Sequence, residues 1–284
     1  MSAHRQVAPS LSVACADVLV SSAKMGAMAF TDRTASSAAI DYADFLLPHL
    51  TKTTHVLDIG CGDGALTAGV SVWCGPVTAV DVSAEDFRQG AATVGLADLA
   101  FVQADAMQLP FPDGTFDTVL AHSVLESGVE PTRVLAQALR VLRPGGWLGA
   151  ASVDYGALLL AGPDVELLRR SNHIREQSWL RSGADPFLGR QLRRLITEAG
   201  FVDVEATTKA FSYGTAERVR DFAAGRASDC SDAGYVAAAV ERNLTTEDEM
   251  AEMAATWSRW GESHAAYAAF TWCRAVARRP TTVR

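Results

Sequence analysis

The stretch H-V-L-D-I-G-C-G-D-G, residues 55–64, decides the fold of this chain. Its first half is mostly apolar and is typical of a short strand buried on both faces. Three glycines at alternate positions then end the strand in a turn, because residues without a Cβ let the backbone lie directly against a ligand. The helical pattern from Ala65 onward would place the free N–H groups of a helix N-terminus beside this turn. The stretch therefore predicts a site for a nucleoside or nucleotide.

Composition narrows the class of partner. The chain has 284 residues, of which 49% are hydrophobic, and a formal net charge of −8. This length allows one large domain or two small ones, with ample material for a core. The acidic balance argues against a large basic groove for nucleic acid, since phosphate binding needs clustered Lys and Arg. We therefore expect a small-molecule substrate and no nucleic-acid partner.

The cysteines favour a reduced, metal-free protein. They are five in number, scattered, and without His or Cys neighbours at metal-ligand spacing. The apolar run at 11–20 is short and interrupted by Asp17, which is a poor signal peptide, and no other stretch approaches the ~20 apolar residues of a bilayer span. We expect a cytoplasmic protein without a membrane partner. The oligomeric state stays open.

Strand and helix patterns alternate along the chain. Strands are predicted at 56–59, 77–82, 99–103, 116–121, 147–153, 201–211 and 266–275. Helices are predicted at 34–50, 65–73, 84–94, 131–143, 164–179, 188–199 and 215–261, the last with an interruption around 228–232. This rhythm indicates an α/β fold in which a doubly wound, mostly parallel seven-stranded sheet is covered by helices on both faces.

The pattern also divides the chain into three parts. Residues 1–33 are expected to form an entry or lid segment, 34–154 a cofactor-binding core, and 155–284 the rest of the sheet. Two helical insertions within the last part, about 155–200 and 214–263, are expected to cap the cleft.

Several polar residues fall at predicted carboxyl ends of strands. Asp81 ends the second strand about twenty residues after Gly60, the offset at which a carboxylate reaches ribose hydroxyls. Asp105 and His122 follow the third and fourth strands. Because parallel strands place these ends at one edge of the sheet, the glycine turn at 60–64 should converge on one cleft with Asp81, Asp105 and His122.

These residues resemble a known family, the class I S-adenosylmethionine-dependent methyltransferases, and in particular the branch with ubiquinone-biosynthesis-type and actinobacterial small-molecule enzymes. The matching stretches are V-L-D-I-G-C-G-D-G (56–64), A-V-D-V-S (79–83), Q-A-D-A-M-Q-L-P-F-P-D-G-T-F-D-T-V (103–119) and L-R-V-L-R-P-G-G-W-L (139–148). The resemblance implies a Rossmann-like fold, S-adenosyl-L-methionine as cofactor and S-adenosyl-L-homocysteine as product.

The resemblance also implies a set of cofactor-binding residues. They are Asp58, Gly60, Cys61, Gly62, Gly64, Asp81, Val82, Asp105, Ala106, Met107, His122, Phe30 and Arg33. By position, Asp58 and the glycine backbone would hold the amino acid end of the cofactor, and Asp81 would accept hydrogen bonds from both ribose hydroxyls.

At the other end of the cofactor, Asp105 would accept a hydrogen bond from the adenine amino group, and the backbone of 106–107 would line the ring. The His122 backbone, with Phe30 and Arg33, would contact the methionine portion.

The implied activity is methyl transfer to an oxygen, nitrogen or carbon nucleophile of a small metabolite, in secondary metabolism. Two alternatives remain open: a cofactor-binding protein with non-methylating chemistry or a non-catalytic partner role, and a nicotinamide-dependent oxidoreductase, which also uses glycines after a strand. No general base is identified. His122, His173 and Tyr213 are the candidates, whereas Cys61 is interpreted as a small turn residue because nothing places a base beside it.

Overall fold

The computed structural model describes residues 35–84 and 99–281. Its helices are α1 (Ala35–Tyr42), α2 (Ala65–Ser71), α3 (Pro131–Val141), α4 (Val165–Ser182), α5 (Leu192–Glu198), α6 (Ala216–Ser231), α7 (Ala233–Glu241) and α8 (Glu247–Gly261). Its strands are β1 (Val56–Ile59), β2 (Val77–Asp81), β3 (Leu99–Gln103), β4 (Phe116–His122), β5 (Leu142–Ala161), β6 (Val202–Tyr213) and β7 (Tyr267–Arg278). The segment predicted at 1–33 and, apart from Ala84, the helix predicted at 84–94 lie outside the described residues.

The seven strands of the described residues join one sheet in the order β3-β2-β1-β4-β5-β7-β6. Neighbouring strands from β3 across to β5 are parallel, and β7 runs antiparallel to both β5 and β6. Every residue of β1 is buried, as expected for a central strand covered on both faces. The mostly parallel, Rossmann-like sheet predicted from the sequence is confirmed.

The fifth strand is much longer than the predicted 147–153. It begins at Leu142, and an irregular register against β4, between Phe116 and Thr118, accommodates its Pro-Gly-Gly segment. Beyond the end of β4 it continues to pair with β7, which itself pairs with β6 over the same stretch, and Ala161 lies opposite Tyr267. The extra length comes from backbone pairing with a segment more than a hundred residues away, which a local apolar pattern does not reveal.

Two predicted helices are wrong in their bounds. The helix expected at 34–50 ends at Tyr42, and Pro48 lies in a separate 3-10 turn at Leu47–His49. The helix expected at 215–261 is three helices, with breaks at Asp232 and at 242–246. The second break was missed because it contains no Gly or Pro; it is made by Asn243, whose φ is 55°, and by the side-chain cap that opens α8.

Within the described residues, helices α1 and α2 pack on the sheet in one apolar cluster. The remaining helices pack into two more. One lies between the sheet and α3 and α5, around Phe116, Leu135 and Leu148. The other joins α4, α6, α7 and α8, here called the accessory helices, to the outer ends of β5 and β7 around Trp257 and Trp260. Within residues 35–84 and 99–281, no helix is both long and apolar enough to cross a membrane.

Candidate cofactor site

The glycine turn after β1 has the backbone conformation that its sequence predicts. Gly60, Gly62 and Gly64 have φ values of 72°, 53° and 78°, which favour glycine over any residue with a Cβ. The surroundings of the first two differ. A Cβ on Gly60 would lie 2.4 Å from Cγ2 of Val124, whereas a Cβ on Gly62 would meet no atom within 4 Å. Gly60 is therefore enclosed by protein, while Gly62 borders open space.

Asp81 connects this turn to the end of β2. Its Oδ2 accepts a hydrogen bond from the Gly62 amide at 2.9 Å, and its Oδ1 accepts one from the Ser83 amide at 2.9 Å. Each carboxylate oxygen can accept a second hydrogen bond. The carboxylate is thus oriented by the backbone and retains acceptor capacity for a ligand.

Asp58 lies beneath the turn and is only 3% exposed. The hydroxyl of Thr67 on α2 donates to its Oδ2 at 2.6 Å. Burial raises the pKa of Asp58 to about 7, and the charge of Asp81 acts in the same direction, while the Thr67 hydrogen bond opposes it. The charge of Asp58 is therefore sensitive to a cation arriving at the turn.

The turn as a whole is electronegative. Burial, together with the charges of Asp58, Asp81 and Asp63, raises the pKa of the Cys61 thiol. Cys61 therefore stays a thiol rather than a nucleophilic thiolate. An acidic surround of this kind suits a cationic ligand such as a sulfonium with an ammonium group, and it disfavours a ligand that brings phosphates to the same place.

The next strand ends supply further candidate contacts. Oδ1 of Asp105 accepts a hydrogen bond from the Met107 amide at 2.7 Å, so this acid orders the loop after β3. Ala106 and Met107 pack against the main apolar cluster. Val82 is 67% exposed directly after β2. The predicted cofactor residues of these loops thus lie along the carboxyl ends of β2 and β3.

His122 is a buried, neutral imidazole at the end of β4. Its ring stacks on Trp272 at a centroid distance of 4.5 Å and meets Tyr42 edge-on at 5.7 Å. Burial lowers its pKa to about 4. Its Nε2 has no hydrogen-bond partner within the part of the chain that the structure describes. The side chain belongs to an aromatic cluster, and the predicted cofactor contact involves only its backbone.

The other two catalytic candidates lie among the accessory elements. His173 is a half-exposed residue of α4, with Nδ1 3.6 Å from a carboxylate oxygen of Glu176. Tyr213 packs between Phe222 and Phe270, at centroid distances of 4.5 and 5.9 Å. Phe30 and Arg33 lie outside the described residues.

Sequence reasoning missed a buried acid next to this site. Glu126 is 1% exposed and accepts hydrogen bonds from the hydroxyls of Ser123 (3.0 Å) and Ser152 (2.7 Å). Burial raises its pKa. Ser123 directly follows β4 and has a φ of 59°, a conformation that a non-glycine residue adopts only when its surroundings hold it there. The sequence signal that could have revealed Glu126 is its position directly after the apolar residues Val124 and Leu125.

No group of three or more His, Cys, Asp or Glu residues within 35–84 and 99–281 is placed to hold a metal ion. A surface hollow lies between the start of α4 and the second half of α8, and its lining includes Asp164, Glu252 and Arg259. That hollow contains none of the predicted cofactor residues.

Comparison with known proteins agrees with the geometry. A family model described as a methyltransferase domain matches residues 57–150, which contain the glycine turn and all four strand ends. An uncharacterized 37.1 kDa protein of a Streptomyces fradiae transposon is 34% identical over 183 residues, covering 61% of this chain and 52% of that protein. The chain thus spans about half the length of this relative.

A demethylmenaquinone methyltransferase of Geobacillus kaustophilus is 32% identical over 187 residues, covering 59% of this chain and 78% of the relative. Among solved structures, the (4+2)-cyclase SpnF is 25% identical with a TM-score of 0.52, covering 88% of this chain and 82% of the cyclase. The chain belongs to the class I S-adenosyl-L-methionine-dependent methyltransferase family, whose cofactor is S-adenosyl-L-methionine.

Proposed function

We propose that this protein transfers the methyl group of S-adenosyl-L-methionine to an oxygen, nitrogen or carbon nucleophile of a small, partly apolar metabolite, in secondary metabolism. One observation carries the proposal. Gly62 borders open space, and its amide donates a hydrogen bond to Asp81, so the glycine turn and the proposed acceptor for the ribose hydroxyls are held together at the edge of the sheet. The cofactor supplies an electrophilic methyl on a sulfonium. The chain supplies the binding site.

The proposed contacts follow the strand ends. Asp58 and the glycine backbone hold the amino acid end, and Asp81 beside Val82 holds the ribose. Asp105 accepts a hydrogen bond from the adenine amino group, and the 106–107 backbone lines the ring. The backbone of His122 borders the methionine portion. Phe30 and Arg33 complete the proposed set from outside the described residues.

Electrostatics favours this cofactor over a nicotinamide dinucleotide. Asp58, Asp63 and Asp81 lie close enough to the Cys61 thiol to raise its pKa together. A dinucleotide would bring two phosphate charges to this acidic turn, where the ionised carboxylates would repel them. S-adenosyl-L-methionine brings positive charge instead, so the same acids stabilise it.

Catalysis would rest mainly on positioning. Methyl transfer by in-line displacement needs the nucleophile and the methyl carbon held collinear in a site closed to water. His122 is neutral and stacked on an aromatic ring, and Glu126 is buried and accepts hydrogen bonds from two serine hydroxyls. We propose that the accessory helices cap the cleft and select the acceptor.

A thermal-shift comparison tests the proposal. The full chain should be stabilised by S-adenosyl-L-methionine and by S-adenosyl-L-homocysteine, because ligands that bind only the folded state raise the melting temperature. NAD should have no effect. Stabilisation by NAD alone would refute the proposal.

A second function is favoured by one comparison. The similar SpnF structure is named as a (4+2)-cyclase, so this fold also hosts chemistry other than methyl transfer. If this chain did the same, an acceptor would be converted only when the cofactor is present, while the cofactor is recovered intact. Transfer of label from methyl-tritiated S-adenosyl-L-methionine to a product would exclude that function.

A further inference from the structure

A short turn directly after β4 packs against the glycine turn of the cofactor site. It comprises residues 123–127 and is here called the β4 turn. The amide and the hydroxyl of Ser127 both donate to the carbonyl oxygen of Val124, at 3.1 and 2.6 Å. A Cβ on Gly60 would lie 2.4 Å from Cγ2 of Val124, so the Val124 side chain fills the space that Gly60 leaves. The position of the β4 turn therefore limits where the glycine backbone can lie.

The β4 turn begins with a residue in an unfavourable backbone conformation. Ser123 has a φ of 59°, in the left-handed region, which costs free energy for a residue with a Cβ. Its amide donates to the carbonyl oxygen of Ala151 on β5 at 2.9 Å, and its hydroxyl donates to Oε1 of Glu126 at 3.0 Å. Because Val124 follows directly, the backbone angle of Ser123 decides whether Val124 reaches Gly60.

Glu126 can fix this angle because it is itself held at both its side chain and its backbone. Oε2 of this buried residue accepts a hydrogen bond from the Ser152 hydroxyl at 2.7 Å. Its carbonyl oxygen accepts one from the Asp185 amide at 2.9 Å, in the segment that follows α4. Burial raises the pKa of Glu126, while the hydrogen bonds from Ser152 and Ser123 oppose that rise. A buried acid held from several sides is a rigid support for a strained neighbour.

The two serine hydroxyls on this carboxylate have different consequences. The bond from Ser152, a residue of regular strand, joins the β4 turn to β5. The bond from Ser123 fixes a backbone angle directly after His122, whose backbone borders the methionine portion of the cofactor in the proposed function. The two serines thus separate a fastening role of Glu126 from a positioning role.

We propose that Glu126 is a positioning residue for the cofactor: it holds Ser123 in the left-handed conformation, and this keeps the β4 turn against Gly60. The glycine turn is then preformed for S-adenosyl-L-methionine. Without this support, the cofactor binds only the fraction of molecules in which Ser123 still has a positive φ. The inference rests on the proposed function, because it concerns the same cofactor contacts.

Calorimetric titration of the full chain with S-adenosyl-L-homocysteine tests the proposal. Glu126→Ala should weaken binding about tenfold, because an unsupported residue with a Cβ adopts the left-handed conformation in about a tenth of the molecules. Ser123→Ala should weaken it to a similar extent, since it loses the same hydrogen bond and keeps the Cβ. Ser152→Ala is the matched control. It removes the other hydroxyl from the same carboxylate and should leave the affinity unchanged.

The substitution Ser123→Gly distinguishes positioning from a purely structural role. Glycine adopts positive and negative φ about equally readily, so the turn persists without help from Glu126 in about half of the molecules. The double variant Glu126→Ala/Ser123→Gly should therefore bind within about twofold of wild type, although its unfolding free energy stays low. A role in stability alone predicts no recovery of affinity, because the second substitution adds no contact.

The inference is wrong if Glu126→Ala binds S-adenosyl-L-homocysteine as tightly as wild type, or if Ser123→Gly fails to restore the affinity of that variant. If Glu126→Ala does not fold, the single variants at Ser123 carry the test. Ser123→Ala should then bind about five times more weakly than Ser123→Gly, and equal affinities would overturn the proposal. Failure of the wild-type chain to bind this ligand would instead refute the proposed function.

Discussion

The amide nitrogen of Gly62 lies 2.9 Å from Oδ2 of Asp81, so the turn after β1 and the acid at the end of β2 are held as one unit. Replacing Asp81 with Ala removes both this hydrogen bond and the proposed acceptor for the ribose. We expect the affinity for S-adenosyl-L-homocysteine to fall by about 1–3 kcal/mol in calorimetric titration. Asp113→Ala, an exposed acid paired with Arg140, should leave the affinity intact. Unchanged binding by Asp81→Ala would contradict the ribose assignment.

A comparison of Gly62 with Gly183 separates the effect of an added Cβ on stability from its effect on ligand binding. Gly62 and Gly183 both have positive φ values, 53° and 89°, and a Cβ on either would meet no atom within 4 Å. Each Gly→Ala change should therefore cost about 1–2 kcal/mol of unfolding free energy. Only Gly62→Ala should also weaken cofactor binding, by tenfold or more, because its Cβ enters the proposed ligand space. Equal cofactor affinity in the two variants would place the ligand elsewhere.

The raised pKa of Asp58, about 7, predicts a pH dependence. In the free protein Asp58 is protonated below this value, and the cationic cofactor favours its ionised form. Affinity for S-adenosyl-L-methionine should therefore rise between about pH 6 and 7.5, with proton release visible as a buffer-dependent binding enthalpy. Asp58→Asn should remove the slope. Affinity that falls over this range in the wild type would refute the assignment.

The same shift has a consequence for stability. Because the folded-state pKa lies above the unfolded value of 3.8, the folded protein binds the extra proton between them. The stabilisation that comes from protonated Asp58 is fully present below about pH 4. It is lost as the pH rises through 7, by roughly 4 kcal/mol of unfolding free energy in total. Urea unfolding of the wild type and of Asp58→Asn across this range measures the difference.

The glycine turn at 60–64 and the acids Asp58 and Asp81 were readable from the sequence because strand, turn and acid are local patterns with fixed spacing. The bounds of β3, Leu99–Gln103, were also predicted correctly. An ion pair between Arg175 and Asp229 was not readable, since its members are 54 positions apart and meet only when α4 packs on α6. The length of β5 was missed for the same reason, as its outer half is specified by β7 and not by its own residues.

His122 should behave as a packing residue and not as a proton acceptor. Its pKa is lowered to about 4 by burial, so its ring should stay neutral throughout the range of about pH 5.5 to 8. Nitrogen-15 NMR of the imidazole checks this, with the exposed ring of His173 as an internal comparison. A midpoint above pH 6 for His122 would restore it as a candidate base.

Glu126 is expected to stabilise the fold through its two serine partners. Glu126→Ala leaves the buried hydroxyl of Ser152 and the partly buried hydroxyl of Ser123 without their acceptor, which should lower the free energy of unfolding by about 2–3 kcal/mol. Chemical denaturation measures this loss. Glu166→Ala, at an exposed surface pair on α4, should change it by less than about 0.5 kcal/mol. A similarly small loss in Glu126→Ala would show that the serines find other partners.

The pairing of Tyr213 with Ala268 has an evolutionary implication. The chain departs from β6 and rejoins at β7 at backbone positions about 5 Å apart, and everything it builds in between is three helices. A segment that begins and ends at neighbouring strand positions can be lengthened, shortened or replaced by a related segment without disturbing the pairing of β6 with β7. If these helices select the acceptor, as proposed, the acceptor site can change without any change at the cofactor end of the sheet.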